Sequence, residues 1–195
     1  NGSQTLLDDA VLELLSAVKD FGEEKTEYCS YIPIDIDVSV QDNSGSNKEH
    51  VSWTYKNLDG YAPIFAYLGT DGYMLANELR PGSQHSAKGA VEFGRRTLDL
   101  AARLGIDPDQ LLVRADSGHD DSEFMSMLAE RKVKFLVKRN LRKEAPEKYL
   151  AMARRIGGRV ASREGKNVYR CIFSHIQPKG LENVPLFVVV EVVER

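Results

Sequence analysis

The sequence predicts a mixed α/β domain: a five-stranded sheet flanked by helices, followed by a basic, partly β-rich segment. Three observations carry this. Residues 31–40, Y-I-P-I-D-I-D-V-S-V, alternate strictly between apolar and polar side chains. Two apolar runs on either side of Asp71-Gly72 read as a hairpin. From residue 86 onward, helical patterns alternate with short apolar runs, which is how crossover connections look in a sequence.

The elements follow in order. Residues 6–20 place apolar side chains at helical spacing and end before Gly22. In the first strand Ile32, Ile34, Ile36, Val38 and Val40 face one way, and Asp35, Asp37 and Ser39 the other. Residues 41–60 are polar and read as a loop or a wide hairpin connection. Residues 60–69 and 73–80 are the hairpin strands. Ser86 is placed to cap a helix that runs to about Leu104 and stops at Gly105. Residues 111–116, L-L-V-R-A-D, are a short buried strand, 120–130 a helix and 133–138 another strand. Beyond Lys143 a short basic helix near 144–155 precedes strands near 168–174 and 185–193. Three antiparallel strands followed by α/β crossovers resemble the order of RNase H-like folds.

Length and composition bound what such a domain can be. With 195 residues, 42% hydrophobic and 28% charged, the chain can bury a core as one domain carrying an insertion. No apolar run approaches the ~20 residues of a membrane helix, and no signal peptide opens the chain. The expectation is a soluble, cytoplasmic protein with no membrane partner. Cys29 and Cys171 are too few for a disulfide framework or a cysteine-rich zinc site. The net charge of -3 argues against nucleic acid, but its distribution argues for it. Residues 131–170 hold 14 Lys/Arg against Glu144, Glu147 and Glu164, a local excess of +11 that leaves -14 on the rest. An acidic body with a basic segment suits a polyanion, and Lys138, Arg139, Arg142 and Lys143 are its candidate nucleic-acid contacts.

The candidate chemistry is carboxylate chemistry. An aspartate on a strand otherwise made of Ile and Val costs energy unless it is paired, hydrated or metal-bound. Asp116 ends the fourth strand, where the chain opens into Ser117-Gly118. If the first and fourth strands are neighbours, Asp37 and Asp116 converge, and a hard divalent cation such as Mg²⁺ or Mn²⁺ relieves their repulsion. Taken singly, each aspartate reads sooner as a cap, Asp35 of a turn and Asp116 of the following helix; together on neighbouring strands they read as a site. Other constellations are weaker. The four histidines lack zinc spacing, no G-x-S-x-G elbow occurs, and no phosphate loop is complete. His119 and Asp120, near Asp116, read as loop surface, with a supporting role beside the acid as the alternative. Trp53, Tyr55 and Tyr61 read as core packing or a hairpin rim, with base stacking as the alternative.

Several stretches resemble DDE-type transposases of bacterial insertion sequences: residues 35–69, beginning D-I-D-V-S-V-Q-D; residues 77–86, N-E-L-R-P-G-S-Q-H-S; and residues 113–124, V-R-A-D-S-G-H-D-D-S-E-F. The D-x-[ST] of the first strand and the R-A-D-S-G after the fourth are the specific parts. The resemblance implies an RNase H-like catalytic domain that cuts and rejoins DNA at transposon ends with Mg²⁺ or Mn²⁺, acting as a homo-oligomer on transposon ends and target DNA in the nucleoid. Carried over, the first catalytic and metal-binding acid is Asp37, with Asp35 as fallback, and the second is Asp116. His119 departs from the family pattern, which has an aromatic residue there. Residues 1–140 are then an incomplete catalytic core and 141–195 the start of a basic, β-rich insertion. The third acid belongs on a helix after that insertion, and Glu191 and Glu194 sit in a strand pattern instead. The expectation is a truncated domain, inactive alone and without a terminal DNA-binding region. The alternatives are an RNase H-like nuclease or resolvase, a nucleic-acid-binding module without catalysis, and a structural α/β domain.

Overall fold

β-branched side chains at every second position build the strand on which the rest of the fold is registered. In the computed structural model it is Ser30–Val38 (β2), with Ile34, Ile36 and Val38 buried and Asp35 and Asp37 turned away from them. The structure describes residues 2–142, 144–163, 165–173 and 179–194. Lys143 and His175 lie outside the described residues. The chain divides into two compact units, Asn1–Arg139 and Asn140–Arg195.

The first unit is a sheet with helices on one face. Ahead of β2 come the helix Gly2–Ser16 (α1) and the two-residue strand Glu24–Lys25 (β1), which pairs with the start of β2. After it come Gln41–Asp42 (β3), Ser52–Trp53 (β4), Asp59–Tyr61 (β5), Ile64–Leu68 (β6) and Tyr73–Glu78 (β7). Then follow the helix Ala90–Arg103 (α2), Leu111–Ala115 (β8), the helix Ser122–Glu130 (α3) and Lys134–Val137 (β9). The sheet order is β7-β6-β2-β8-β9, with β1 as a sixth, short strand off that path. β7, β6 and β2 are antiparallel neighbours, while β2, β8 and β9 are parallel. In chain order the five core strands therefore lie 3-2-1-4-5, the RNase H-like arrangement. One core joins Leu12 and Leu15 of α1, Phe93 and Leu98 of α2 and Phe124 and Leu128 of α3 to the inward side chains of the sheet.

Local chemistry explains where elements begin and end. The Asp71-Gly72 hairpin forms as expected, with left-handed glycines at 69 and 72 (φ 77° and 72°). α1 runs earlier than residues 6–20, because Ala17 and Val18 already make tighter bonds to Leu14 and Leu15. α2 starts at Ala90, not at a Ser86 cap. Residues 85–89 are instead held by the buried Arg80, whose guanidinium donates to the carbonyls of Ser86 (3.4 Å) and Gly89 (3.1 Å) and to Glu78 (2.7 Å). Residues 41–60, expected as a loop or a wide hairpin connection, contribute to a small antiparallel sheet ordered β3-β5-β4. Trp53 and Tyr55 are exposed on it, and the Tyr61 hydroxyl donates to the Glu49 carbonyl (2.6 Å). The aromatics thus form a rim and not a core.

In the second unit the helix Pro146–Ile156 (α4) precedes Gly158–Arg163 (β10), Lys166–Phe173 (β11) and Val188–Glu194 (β12). They form an antiparallel sheet ordered β10-β11-β12. Ala153, Cys171 and Phe173 make its small core. β10 has no counterpart among the sequence expectations, since G-R-V-A-S-R lacks apolar alternation.

Candidate active site

Asp37 is the penultimate residue of β2, and Asp116 is the first residue beyond β8. The parallel register sets Asp35 opposite Arg114 and Ile36 opposite Ala115, so one further step along both strands brings Asp37 level with Asp116. Asp116 keeps an extended backbone (φ −77°, ψ −177°), so the alternation of faces runs on through it. Neighbouring strands lie about 4.8 Å apart, and side chains at one register share a face. The two carboxylates therefore leave the C-terminal edge of the sheet side by side, on the face away from Ile34 and Ile36. Ligands of open α/β sheets gather at that edge.

Both carboxylates are half-used. Asp116 caps the short 3-10 turn Ser117–His119, and its Oδ1 accepts from the Gly118 amide (2.9 Å) and from His119 Nδ1 (3.0 Å). Asp37 Oδ1 accepts from the Val38 amide (2.8 Å). The second oxygen of each accepts no hydrogen bond among the described residues, and both side chains are open to solvent. Asp35, the fallback for the first acid, is different. Arg114 takes both of its oxygens, Nε to Oδ1 at 2.6 Å and Nη2 to Oδ2 at 2.7 Å, and reaches Glu24 at 2.9 Å as well. These partners, Asp35 first, hold the Arg114 guanidinium above the usual arginine range.

Two further side chains border the pair. The Tyr55 hydroxyl donates to the Val38 carbonyl (3.4 Å), while the residue is 64% exposed. Desolvation of the phenol, then the charge of Asp37, then that of Asp116 push its pKa up, so one hydroxyl feels both carboxylates. Lys138 lies one residue past β9. Its amide bonds the Ala115 carbonyl (3.0 Å), which carries the ladder on to the level of Asp116. Alternation with Lys134 and Leu136 aims it to the same exposed face.

His119 corrects the sequence expectation. It is not loop surface: it is fully buried, with its ring 5.9 Å from Phe124. The available signal was the spacing, because side chains three apart eclipse in a 3-10 turn. Of the remaining candidate residues, Arg139 is half-buried, Arg142 is exposed and belongs to the second unit, and Lys143 lies outside the described residues. Glu191 on β12 is paired with Arg170 (2.7 Å).

The donor set suits a hard divalent cation. Carboxylate oxygens favour Mg²⁺ or Mn²⁺ over softer metals. Among the described residues no third His, Cys, Asp or Glu completes a cluster. Mg²⁺ is commonly held by one or two carboxylates with water and substrate phosphate supplying the rest, and Asp37 and Asp116 fit that pattern. No helix of the described residues is long and apolar enough to cross a membrane.

No curated protein matches the chain. Among solved structures it is similar to one described as a cryo-EM structure of a piggyBac transposase synaptic complex with hairpin DNA. The identity is 10% and the TM-score 0.44, with 83% of this chain and 32% of that chain covered. This chain thus spans about a third of that transposase's length. The family described as Transposase DDE domain group 1 matches residues 9–173, which take in both core aspartates and all five core strands. Domains of this family generally work with divalent metal ions. The chain belongs to the transposase DDE domain family, group 1.

Proposed function

We propose that this chain contributes Asp37 and Asp116 to a centre that cuts DNA strands and joins them to new positions. The observation that carries this is the parallel pairing of Ile36 with Ala115, whose next step sets Asp37 beside Asp116, with one oxygen of each carboxylate accepting no hydrogen bond among the described residues. In this reading residues 1–140 belong to the catalytic core and 141–195 to a basic, β-rich insertion. The substrates are transposon ends and target DNA, handled by more than one copy of the protein in the cytoplasm, on the nucleoid.

Asp37 and Asp116 would hold Mg²⁺ or Mn²⁺, and such an ion, when bound, would polarise a phosphodiester oxygen and activate water or a 3′-hydroxyl. The chain's own residues do the rest. The Gly118 amide and His119 fix the Asp116 carboxylate. Lys138 brings positive charge to the same face and draws a phosphate toward the acids. The exposed Tyr55 ring borders the pair and offers a surface for a base or sugar.

The test is duplex DNA binding by the chain with and without Mn²⁺, read without turnover. Mn²⁺ should tighten binding in the wild type and in Asp35→Asn, but not in Asp37→Asn or Asp116→Asn. Equal Mn²⁺ enhancement in all four proteins would overturn the assignment of the two acids. DNA binding indifferent to Mn²⁺ in the wild type would favour a binding module without catalysis.

A further inference from the structure

The geometry points to His119 as a positioning residue. It holds one oxygen of Asp116 from inside the core, so that the other is presented outward as a single, directed metal ligand. This rests on the metal reading of Asp116 given above.

The imidazole has 0% exposure, yet it is not merely a packed aromatic. Its Nδ1 lies 3.0 Å from Asp116 Oδ1. A carboxylate oxygen only accepts, so Nδ1 carries the hydrogen of that bond. The other nitrogen, Nε2, is buried with no partner among the described residues. With Nδ1–H donating, only the Nε2 lone pair is unmet; the other tautomer would turn a lone pair toward the carboxylate and bury an N–H without an acceptor. The fold thus tolerates an unmet polar atom in its core to keep a donor under Asp116. The Gly118 amide donates to the same Oδ1 (2.9 Å). Two donors on one oxygen leave Oδ2 without a hydrogen bond among the described residues, on a side chain that is 58% exposed.

Position reinforces the point. The 3-10 turn stacks residue 119 beneath residue 116. A phenylalanine at 119 could fill the same space beside Phe124 but could not donate. Histidine at this place therefore adds a hydrogen bond, where an aromatic residue would add packing alone.

The experiment uses the full chain and three variants, His119→Phe, His119→Asn and Asp116→Asn. Two-bond ¹H–¹⁵N correlation of the imidazole should find the proton on Nδ1; a proton on Nε2 alone would overturn the proposal without reference to any metal. Mn²⁺ binding, followed by electron paramagnetic resonance, should weaken about tenfold in His119→Phe, the usual size of an outer-shell loss, while its thermal midpoint stays near wild type. His119→Asn keeps a short N–H donor and loses the ring, so it should recover affinity while melting lower. Mn²⁺ binding by His119→Phe equal to wild type, with Asp116→Asn impaired, would show that His119 only packs. Affinity that tracks the melting temperature in both His119 variants would say the same. If Asp116→Asn binds Mn²⁺ like wild type, the metal reading fails, and the tautomer signal still decides whether His119 holds Asp116.

Discussion

Asp35 and Arg114 face each other across β2 and β8 in a two-pronged ion pair, with contacts of 2.6 and 2.7 Å. Two residues further along the same strands and face, Asp37 has no ion pair among the described residues, and the continued register sets it beside Asp116. The first pair closes on itself; the second is open. That difference separates two aspartates that look alike in D-I-D-V.

Asp35→Asn should therefore act on stability and Asp37→Asn on binding. Both partners of the ion pair are partly exposed, so the loss in Asp35→Asn should be about 1 kcal/mol in urea unfolding. Its Mn²⁺ affinity should stay close to wild type, since both Asp35 oxygens are committed to Arg114 and neither is left to ligate. Asp37→Asn should unfold near the wild-type midpoint and bind Mn²⁺ far more weakly. The reverse pattern would make Asp35 the ligand.

Gly118 permits the approach of the 81–89 loop to the acids. A Cβ there would lie 2.9 Å from Ser86 Oγ, 3.1 Å from Ser86 Cβ and 3.1 Å from Asp116 Oδ1. Gly118→Ala should then displace the Asp116 carboxylate and weaken Mn²⁺ binding. Ser86→Gly in the same chain should recover part of it, a coupling that a double-mutant cycle measures. Additive effects would mean that Ser86 yields freely.

Tyr55 reports the charge of the pair. Its pKa is raised by desolvation, Asp37 and Asp116. A raised folded value means that the native state holds the proton more tightly than the unfolded chain. The stability this supplies is complete below about pH 10 and is lost as pH climbs through the folded value. Phenolate absorbance, taken as the difference from Tyr55→Phe, should show titration above the unfolded range. Asp37→Asn and Asp116→Asn should each lower it. No change in either variant would place the hydroxyl outside the reach of both carboxylates.

Charge reversal at Lys138 and Arg139 tests the nucleic-acid face. Each phosphate left without its cation should lower the log-log salt slope of duplex binding by about 0.9, whatever the DNA sequence. Lys19→Glu should leave the slope alone. An unchanged slope after the double reversal would make both side chains solvated surface.

The sheet was legible where periodicity was long. Ile32 to Val38 carry both the strand and its faces, Asp71-Gly72 the hairpin, and residues 111–116 the fourth strand, whose place beside β2 follows from the fold order. Elements of two or three residues, such as β1, β3 and β4, carry no period and were invisible. The start of α2 was misplaced because Ser86 is a good cap locally, whereas its carbonyl is claimed by Arg80 from beyond the end of β7. At the site, the two aspartates stood out as acids on or beside apolar strands. The pairing of Asp35 with Arg114 depends on strand register, and the burial of His119 on the packing of α3 behind it. Neither is written in local spacing.

The most direct measurement is a crystal of the chain grown with Mn²⁺ and read by anomalous diffraction. A peak should lie between Asp37 and Asp116, bound by one oxygen of each at about 2.1 Å, a typical distance for a small hard cation. Asp116 should use Oδ2 while Oδ1 stays on Gly118 and His119. A peak at Asp35, or Mn²⁺ bound elsewhere with the Asp37–Asp116 edge empty, would contradict it.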